Sequence, residues 1–159
     1  MVEKIAHDAP VLVLGLGRFG AATAGELDKL GRDVLAVDAD PALVQKWSDR
    51  VRHTAVLDAR DMNALQQIGA ADFSVAVVAV GSSIEASVLI TTHLVDLKIP
   101  QIWAKAISEA HGKILTRIGA HRVIYPEREA GERVAHLVSG RMIDFIRFDD
   151  DFALVKMYP

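Results

Sequence analysis

Three glycines near the start of this chain have the spacing of a phosphate-binding turn. Gly15, Gly17 and Gly20 follow the apolar run 11–14, where a buried strand would turn into a helix. In this pattern the first glycine allows a tight turn, the second lets the backbone approach a pyrophosphate, and the third lets helix and strand pack closely. The helix N-terminus then attracts an anion through its free N–H groups and its dipole. The motif predicts a nucleotide phosphate site, although a tight turn without a ligand would use the same glycines.

Two charged side chains accompany the turn. Arg18 lies inside the glycine motif, where its guanidinium would contact a phosphate or, alternatively, remain in solvent. Asp38 follows a second apolar run, 34–37. A carboxylate at this point accepts hydrogen bonds from ribose hydroxyls and repels a 2′-phosphate, which argues against NADP. Asp38 would alternatively cap the turn that follows it.

Two further candidates end later strands of the same predicted sheet. Asp58 follows the run 54–57, and Lys105 closes the run 101–105. Ligands bind at the carboxyl ends of the strands in open α/β sheets, so both side chains are candidates for the site. Asp58 would reach the adenine edge or cap the helix that starts near Asp61, and Lys105 would lie beside the nucleotide or on the surface.

The elements that position these residues alternate between β-rich runs and helical stretches. This alternation predicts an α/β, Rossmann-like, doubly wound parallel sheet of six strands in the order 3-2-1-4-5-6. Ser82, with Glu85 three residues later, predicts the start of the helix after the fourth strand. The predicted strands are 11–14, 34–37, 54–57, 73–80, 101–105 and 121–125.

Composition excludes several classes of function. The chain has 159 residues, a net charge of −3 and no cysteine, so we expect no nucleic-acid partner, no disulfide and no thiolate chemistry. No apolar run approaches the roughly 18 residues of a membrane span, which predicts a cytoplasmic protein without direct membrane insertion. The six histidines lack metal-ligand spacing, and neither a nucleophile elbow nor a Walker lysine is present. We therefore expect a sensor rather than an enzyme; the rivals are a small NAD-dependent oxidoreductase and a structural oligomerisation module.

The motifs together resemble a known family, the N-terminal RCK domain, also called KTN or TrkA-N. More narrowly, the chain is similar to the cytosolic gating subunit of bacterial Ktr and Trk potassium-uptake systems. The resemblance extends from about residue 11 to residue 135 and rests on the segments Gly15–Gly20, Leu35–Asp38, Val80–Gly81, Ile102–Ala106, Ile118–Ala120 and Ile124–Glu127.

The resemblance implies a function and several partners. The Ktr-type subunit holds ATP or ADP in its glycine-rich site, assembles through dimers into a ring of eight, and gates a membrane potassium-translocating subunit. Arg18 matches the arginine that contacts the terminal phosphate. Glu127 matches a glutamate near the dimer contact and a divalent cation, although it would also suit the first turn of a helix. A Trk-type subunit that senses NAD(H) is the alternative.

The C-terminal segment is expected to differ from the rest. Residues 1–140 are predicted to form the nucleotide-binding domain, and residues 141–159 a crossover segment with the start of a truncated C-terminal lobe. The apolar stretch 142–148, with the preceding helix, matches the family's crossover, and 152–157 is typical of a strand without a partner in its own chain. The residues predicted to contact the nucleotide are Gly15, Gly17, Arg18, Phe19, Gly20, Asp38, Ala39, Asp58, Ala59, Gly81, Lys105 and Glu127, with Glu127 also the predicted metal ligand.

Overall fold

Strands and helices alternate along most of the chain in a computed structural model, which describes residues 8–81, 83–140, 142–147 and 153–157. The strands are β1 (Val11–Leu14), β2 (Val34–Asp38), β3 (His53–Val56), β4 (Val75–Val78), β5 (Gln101–Lys105), β6 (Arg122–Ile124), β7 (Met142–Arg147) and β8 (Ala153–Met157). The helices are α1 (Arg18–Lys29), α2 (Pro41–Trp47), α3 (Met62–Gln67), α4 (Ile84–Asp96), α5 (Glu109–Ile118) and α6 (Pro126–Val138).

The first six strands form one parallel sheet in the order β3-β2-β1-β4-β5-β6, as the sequence predicts. All four residues of β1 are buried, because this strand lies at the centre and both of its faces are covered. Such strands are continuously apolar rather than alternating. The order reverses between β1 and β4, and this switch point is where open α/β sheets bind ligands.

Side-chain caps start four of the helices. Asp40, Asp61, Ser83 and Ser108 each accept a hydrogen bond from a backbone N–H in the first turn of α2, α3, α4 and α5, respectively. The N-cap of α4 is therefore Ser83, one residue after the predicted Ser82, which lies outside the described residues. None of the helices in the described ranges is long and apolar enough to cross a membrane.

The chain divides into two compact units, with the boundary between Ile124 and Tyr125. The C-terminal unit contains α6 and a two-stranded antiparallel sheet of β7 and β8. The prediction of a strand without a partner in its own chain was therefore wrong, because β8 pairs with β7. Residues 148 and 152 of the predicted stretches lie outside the described residues, and the assignment of 1–140 and 141–159 as separate domains stays a prediction.

A buried histidine joins α5 to α4. His111 is 2% exposed, and its Nδ1 accepts the backbone N–H of Ile107 at 3.1 Å. The ring proton therefore lies on Nε2, which donates to Ser87 Oγ at 3.0 Å. Burial lowers the pKa of His111, so the neutral ring is the form that the fold holds.

Acidification is expected to weaken the fold through His111. Because the pKa of His111 is lower in the folded chain, the unfolded chain binds more protons once the pH falls below about 6.5, and stability decreases by up to about 1.4 kcal/mol per pH unit. Urea unfolding at pH 7.5 and pH 5.5 measures this loss, which should be smaller in His111→Gln than in the wild type. His53→Gln, at an exposed position, is the matched control and should retain the wild-type loss. An equal loss in all three proteins would contradict this role of His111.

Candidate functional site

A cleft of about 220 Å³ lies at the carboxyl edge of the six-stranded sheet. Its walls come from the segments that follow β1, β2, β3 and β4 and from the first half of α4. This is the switch point of the sheet, where the sequence places the nucleotide. The residues that line it are Leu14, Gly15, Val37, Asp38, Ala39, Leu57, Asp58, Ala59, Arg60, Val80, Ser83, Ala86 and Ile90.

Two glycines of the motif are required by the packing of the protein itself. Gly15 has a φ of +110°, and a Cβ there would lie 3.0 Å from the carbonyl carbon and oxygen of Ala79. A Cβ at Gly20, in the first turn of α1, would overlap the Gly15 carbonyl group and lie 3.0 Å from Ala79 Cβ. These glycines let α1 start directly against β1 and β4.

Gly17 is different, because nothing in the described chain requires a glycine there. Its backbone is extended, with φ −69° and ψ −168°, and a Cβ at this position would meet no atom within 4 Å. Gly17 is also the N-cap of α1 and, having no side chain, makes no capping hydrogen bond to this end of the helix. The space beside Gly17 thus leaves room for an anion at the start of α1, where the first N–H groups of a helix are available as donors.

Asp38 ties the glycine-rich turn to the end of β2. Its Oδ2 accepts the backbone N–H of Leu16 at 2.7 Å, and its Oδ1 accepts the N–H of Asp40 at 2.8 Å. The turn that follows Asp38 is thus capped by this side chain. Each oxygen retains a second lone pair and Asp38 lines the cleft, so the carboxylate is still able to accept ribose hydroxyls.

Asp58 forms an ion pair that sequence reasoning missed. Arg60 donates from Nε to Asp58 Oδ1 at 3.0 Å and from Nη2 to Oδ2 at 2.9 Å. The Arg60 side chain, as the main cause, holds the pKa of the Asp58 carboxyl below its usual value. Asp58 does not cap α3, because Asp61 occupies that position. The sequence does place an arginine two residues after the acid that follows β3. Whether the two side chains pair depends on the conformation of the loop, which the sequence pattern does not predict.

The remaining predicted residues lie in several places. Ala39 and Ala59 line the cleft. Lys105 lies against Gly81, since a Cβ at Gly81 would be 2.9 Å from Lys105 Nζ. Gly81 directly follows Val80, which lines the cleft. Phe19 packs partly on the core cluster, outside the lining of the cleft.

Two predicted residues with formal charges are exposed outside the lining of the cleft. Arg18 is the first residue of α1, directly after Gly17. Glu127 lies in the first turn of α6, in the C-terminal unit. Among the described residues, no three His, Asp or Glu side chains form a metal site. The cation at Glu127, which the resemblance places at a dimer contact, stays a prediction.

Sequence comparison decides the family. A model of the TrkA-N domain family matches residues 11–126, which contain all six strands of the parallel sheet. The chain belongs to the TrkA-N domain family. The predicted resemblance to the TrkA-N family is therefore confirmed. All residues that line the cleft lie within the matched part of this TrkA-N domain.

Two curated relatives of this TrkA-N domain are the Ktr system potassium uptake proteins A and C of Bacillus subtilis. The chain is 37% identical to the first and 34% identical to the second, in each case over 91% of its own length. It spans 66% of the length of either relative.

Solved structures confirm the Rossmann-like fold of the domain. The TrkA-N domain of the inner membrane protein ybaL from Escherichia coli matches 84% of this chain and 99% of its own, with a TM-score of 0.73 and 17% identity. The GsuK channel bound to NAD matches 86% of this chain and 24% of its own (TM-score 0.73, 22% identity). GsuK bound to ADP matches 82% of this chain and 34% of its own (TM-score 0.70, 23% identity).

Proposed function

We propose that the chain binds ATP or ADP in the cleft and is the nucleotide-sensing part of a potassium-uptake regulator. The observation that carries this proposal is Gly17. In the part of the chain that the structure describes, no packing contact requires a glycine there, and Gly17 as the N-cap gives the helix that follows no side-chain cap. A ligand phosphate accounts for both features, because it needs close backbone approach and free N–H donors.

The order of the strands supports one placement of the nucleotide. Neighbouring strands lie about 4.8 Å apart, and β1, β2 and β3 are adjacent in the sheet. The glycine turn follows β1, Asp38 ends β2, and Asp58 follows β3. The phosphates, the ribose and the base would therefore lie over three successive strand ends. The cleft would hold the nucleoside, and the phosphates would extend over Gly17 toward Arg18.

Regulation would follow from the terminal phosphate. A ligand shifts a conformational equilibrium only by its differential affinity for the two states, and ATP offers Arg18 one phosphate more than ADP does. The two nucleotides would favour different arrangements of paired domains in a dimer or an octameric ring. The ring would act on a membrane potassium-translocating subunit, with this chain at the cytoplasmic side of the membrane through that partner. Such a sensor needs binding without turnover, so no catalytic residue is assigned.

The relatives support this role and also the main alternative. Ktr system potassium uptake proteins A and C are, by name, components of potassium uptake. GsuK has been solved with NAD and with ADP, so structures of this fold hold either ligand. NAD(H) is the second candidate, and the Asp38 carboxylate suits the adenosine ribose of both ligands.

Replacing Arg18 with alanine is expected to preserve ADP binding and to lower the ratio of ATP affinity to ADP affinity about tenfold. The physical reason is the loss of a charge-assisted hydrogen bond to the third phosphate. Isothermal titration of both nucleotides against the 159-residue chain measures the ratio. Lys29→Ala removes a cation from the other end of α1 and should leave it unchanged. An unchanged ratio in Arg18→Ala would reject this source of discrimination.

A further inference from the structure

We propose that Arg60 is a positioning residue that makes the cleft selective for a 6-aminopurine base, by fixing Asp58 as a hydrogen-bond acceptor. This inference rests on the proposed function and adds a base-selecting pair to it. Both side chains line the cleft. They follow β3, two strands from the glycine turn, so they lie at the end of the cleft where the base of a bound nucleotide would be.

The ion pair leaves Asp58 with one open acceptor position. Oδ1 accepts both the backbone N–H and the Nε–H of Arg60, each at 3.0 Å. Oδ2 accepts the Nη2–H of Arg60 at 2.9 Å. A carboxylate oxygen has two lone pairs, so Oδ1 is saturated and Oδ2 retains one. The forked guanidinium thus sets both the rotation of the carboxylate and the direction of its remaining lone pair.

That remaining lone pair discriminates between purines. The exocyclic amino group of adenine donates a hydrogen bond to it, whereas the 6-oxo group of guanine is an acceptor and would face another acceptor without a proton between them. A site arranged around one hydrogen bond rejects a ligand that fails to make it. Without Arg60, the exposed Asp58 side chain would rotate freely and turn toward water, and the discrimination would fall.

The Arg60 backbone ties this pair to the opposite wall of the cleft. The carbonyl oxygen of Arg60 accepts the Nε2–H of His93, at 2.9 Å. His93 lies on α4, and Ser83, Ala86 and Ile90 of the same helix segment line the other side of the cleft. The width of the base site is therefore set by a loop and a helix that are bonded to each other.

The test is the ratio of ATP affinity to GTP affinity, measured by isothermal titration on the full 159-residue chain. We expect the wild type to prefer ATP and Arg60→Ala to lower the ratio about tenfold. Arg60→Lys keeps the charge but not the fork, so the ratio should fall here too. Arg52→Ala removes an exposed arginine just before β3 and is the matched control, with an unchanged ratio.

A double variant separates positioning from a direct contact of Arg60 with the ligand. If Arg60 acts through Asp58, then Arg60→Ala should have no further effect on the ratio in an Asp58→Ala background. The inference would be overturned if Arg60→Ala left the ratio of ATP affinity to GTP affinity unchanged. It would also be overturned if Arg60→Ala lowered this ratio equally in the wild type and in the Asp58→Ala variant. Equal binding of ATP and GTP by the wild type would also overturn it and leave a nucleotide sensor in place. A folded wild type that binds neither would remove the proposed function as well.

Discussion

Gly20→Ala is expected to destabilise the fold by about 3 kcal/mol, although alanine is the better helix former. The added methyl group would overlap the carbonyl group of Gly15, and it would lie 3.0 Å from the Cβ of Ala79. The first obstacle is backbone rather than a flexible side chain, so it is unable to rotate away. Relief requires α1 to move off β1, which disturbs the glycine turn and the buried residues of α1 together.

Gly25→Ala is the matched control for this prediction, because it makes the same change in the same helix. A Cβ at Gly25 would meet nothing within 4 Å. Alanine should therefore stabilise the chain by about 0.5–1 kcal/mol, through the lower entropy of its unfolded state. Urea unfolding of both variants measures the two changes in the free energy of unfolding. We expect a decrease in Gly20→Ala and an increase in Gly25→Ala. A Gly20→Ala protein as stable as the wild type would show that α1 does not pack on β1 as described.

Gly17→Ser is expected to weaken ATP and ADP binding about 100-fold without loss of stability. Serine is among the favoured N-cap residues, so its hydroxyl would accept an N–H of α1 and raise stability by a few tenths of a kcal/mol. The same hydroxyl would take a donor from the phosphate, and the side chain would fill the space beside the backbone that Gly17 leaves open. Stability and affinity should thus change in opposite directions.

Titration and urea unfolding of the same Gly17→Ser sample test both halves of this expectation. Gly25→Ala should bind nucleotides as the wild type does, since it changes α1 away from the cleft. Undiminished binding by Gly17→Ser would show that the phosphates do not lie over this turn. A large loss of stability would show instead that the fold itself needs glycine here.

The sheet was predictable because local patterns determine it. The apolar runs and the glycine motif predict the strands and the first turn, and the connection rules favour the strand order that the structure has. Which of the three glycines the packing of the protein requires was not predictable from the sequence. Gly15 and Gly20 are required by internal packing, whereas Gly17 is open, and that distinction depends on the contact of Gly20 with the Gly15 carbonyl group and on contacts with Ala79, far away in the sequence.

The details of the charged groups also required the tertiary structure. Asp38 holds the N–H of Leu16 across 22 positions of sequence, a distance that no local pattern records. Arg60 meets Asp58 through a loop conformation rather than a helix or strand periodicity. The pairing of β7 with β8 was missed because a short apolar run does not by itself distinguish a strand from a helix.

The most direct test of nucleotide binding in the cleft is isothermal titration of the wild-type chain with ATP, ADP and NADH in parallel. We expect saturable binding of ATP and of ADP at one site per chain, and binding about 100-fold weaker in Gly17→Ser. A folded wild-type chain that binds none of the three ligands would contradict it.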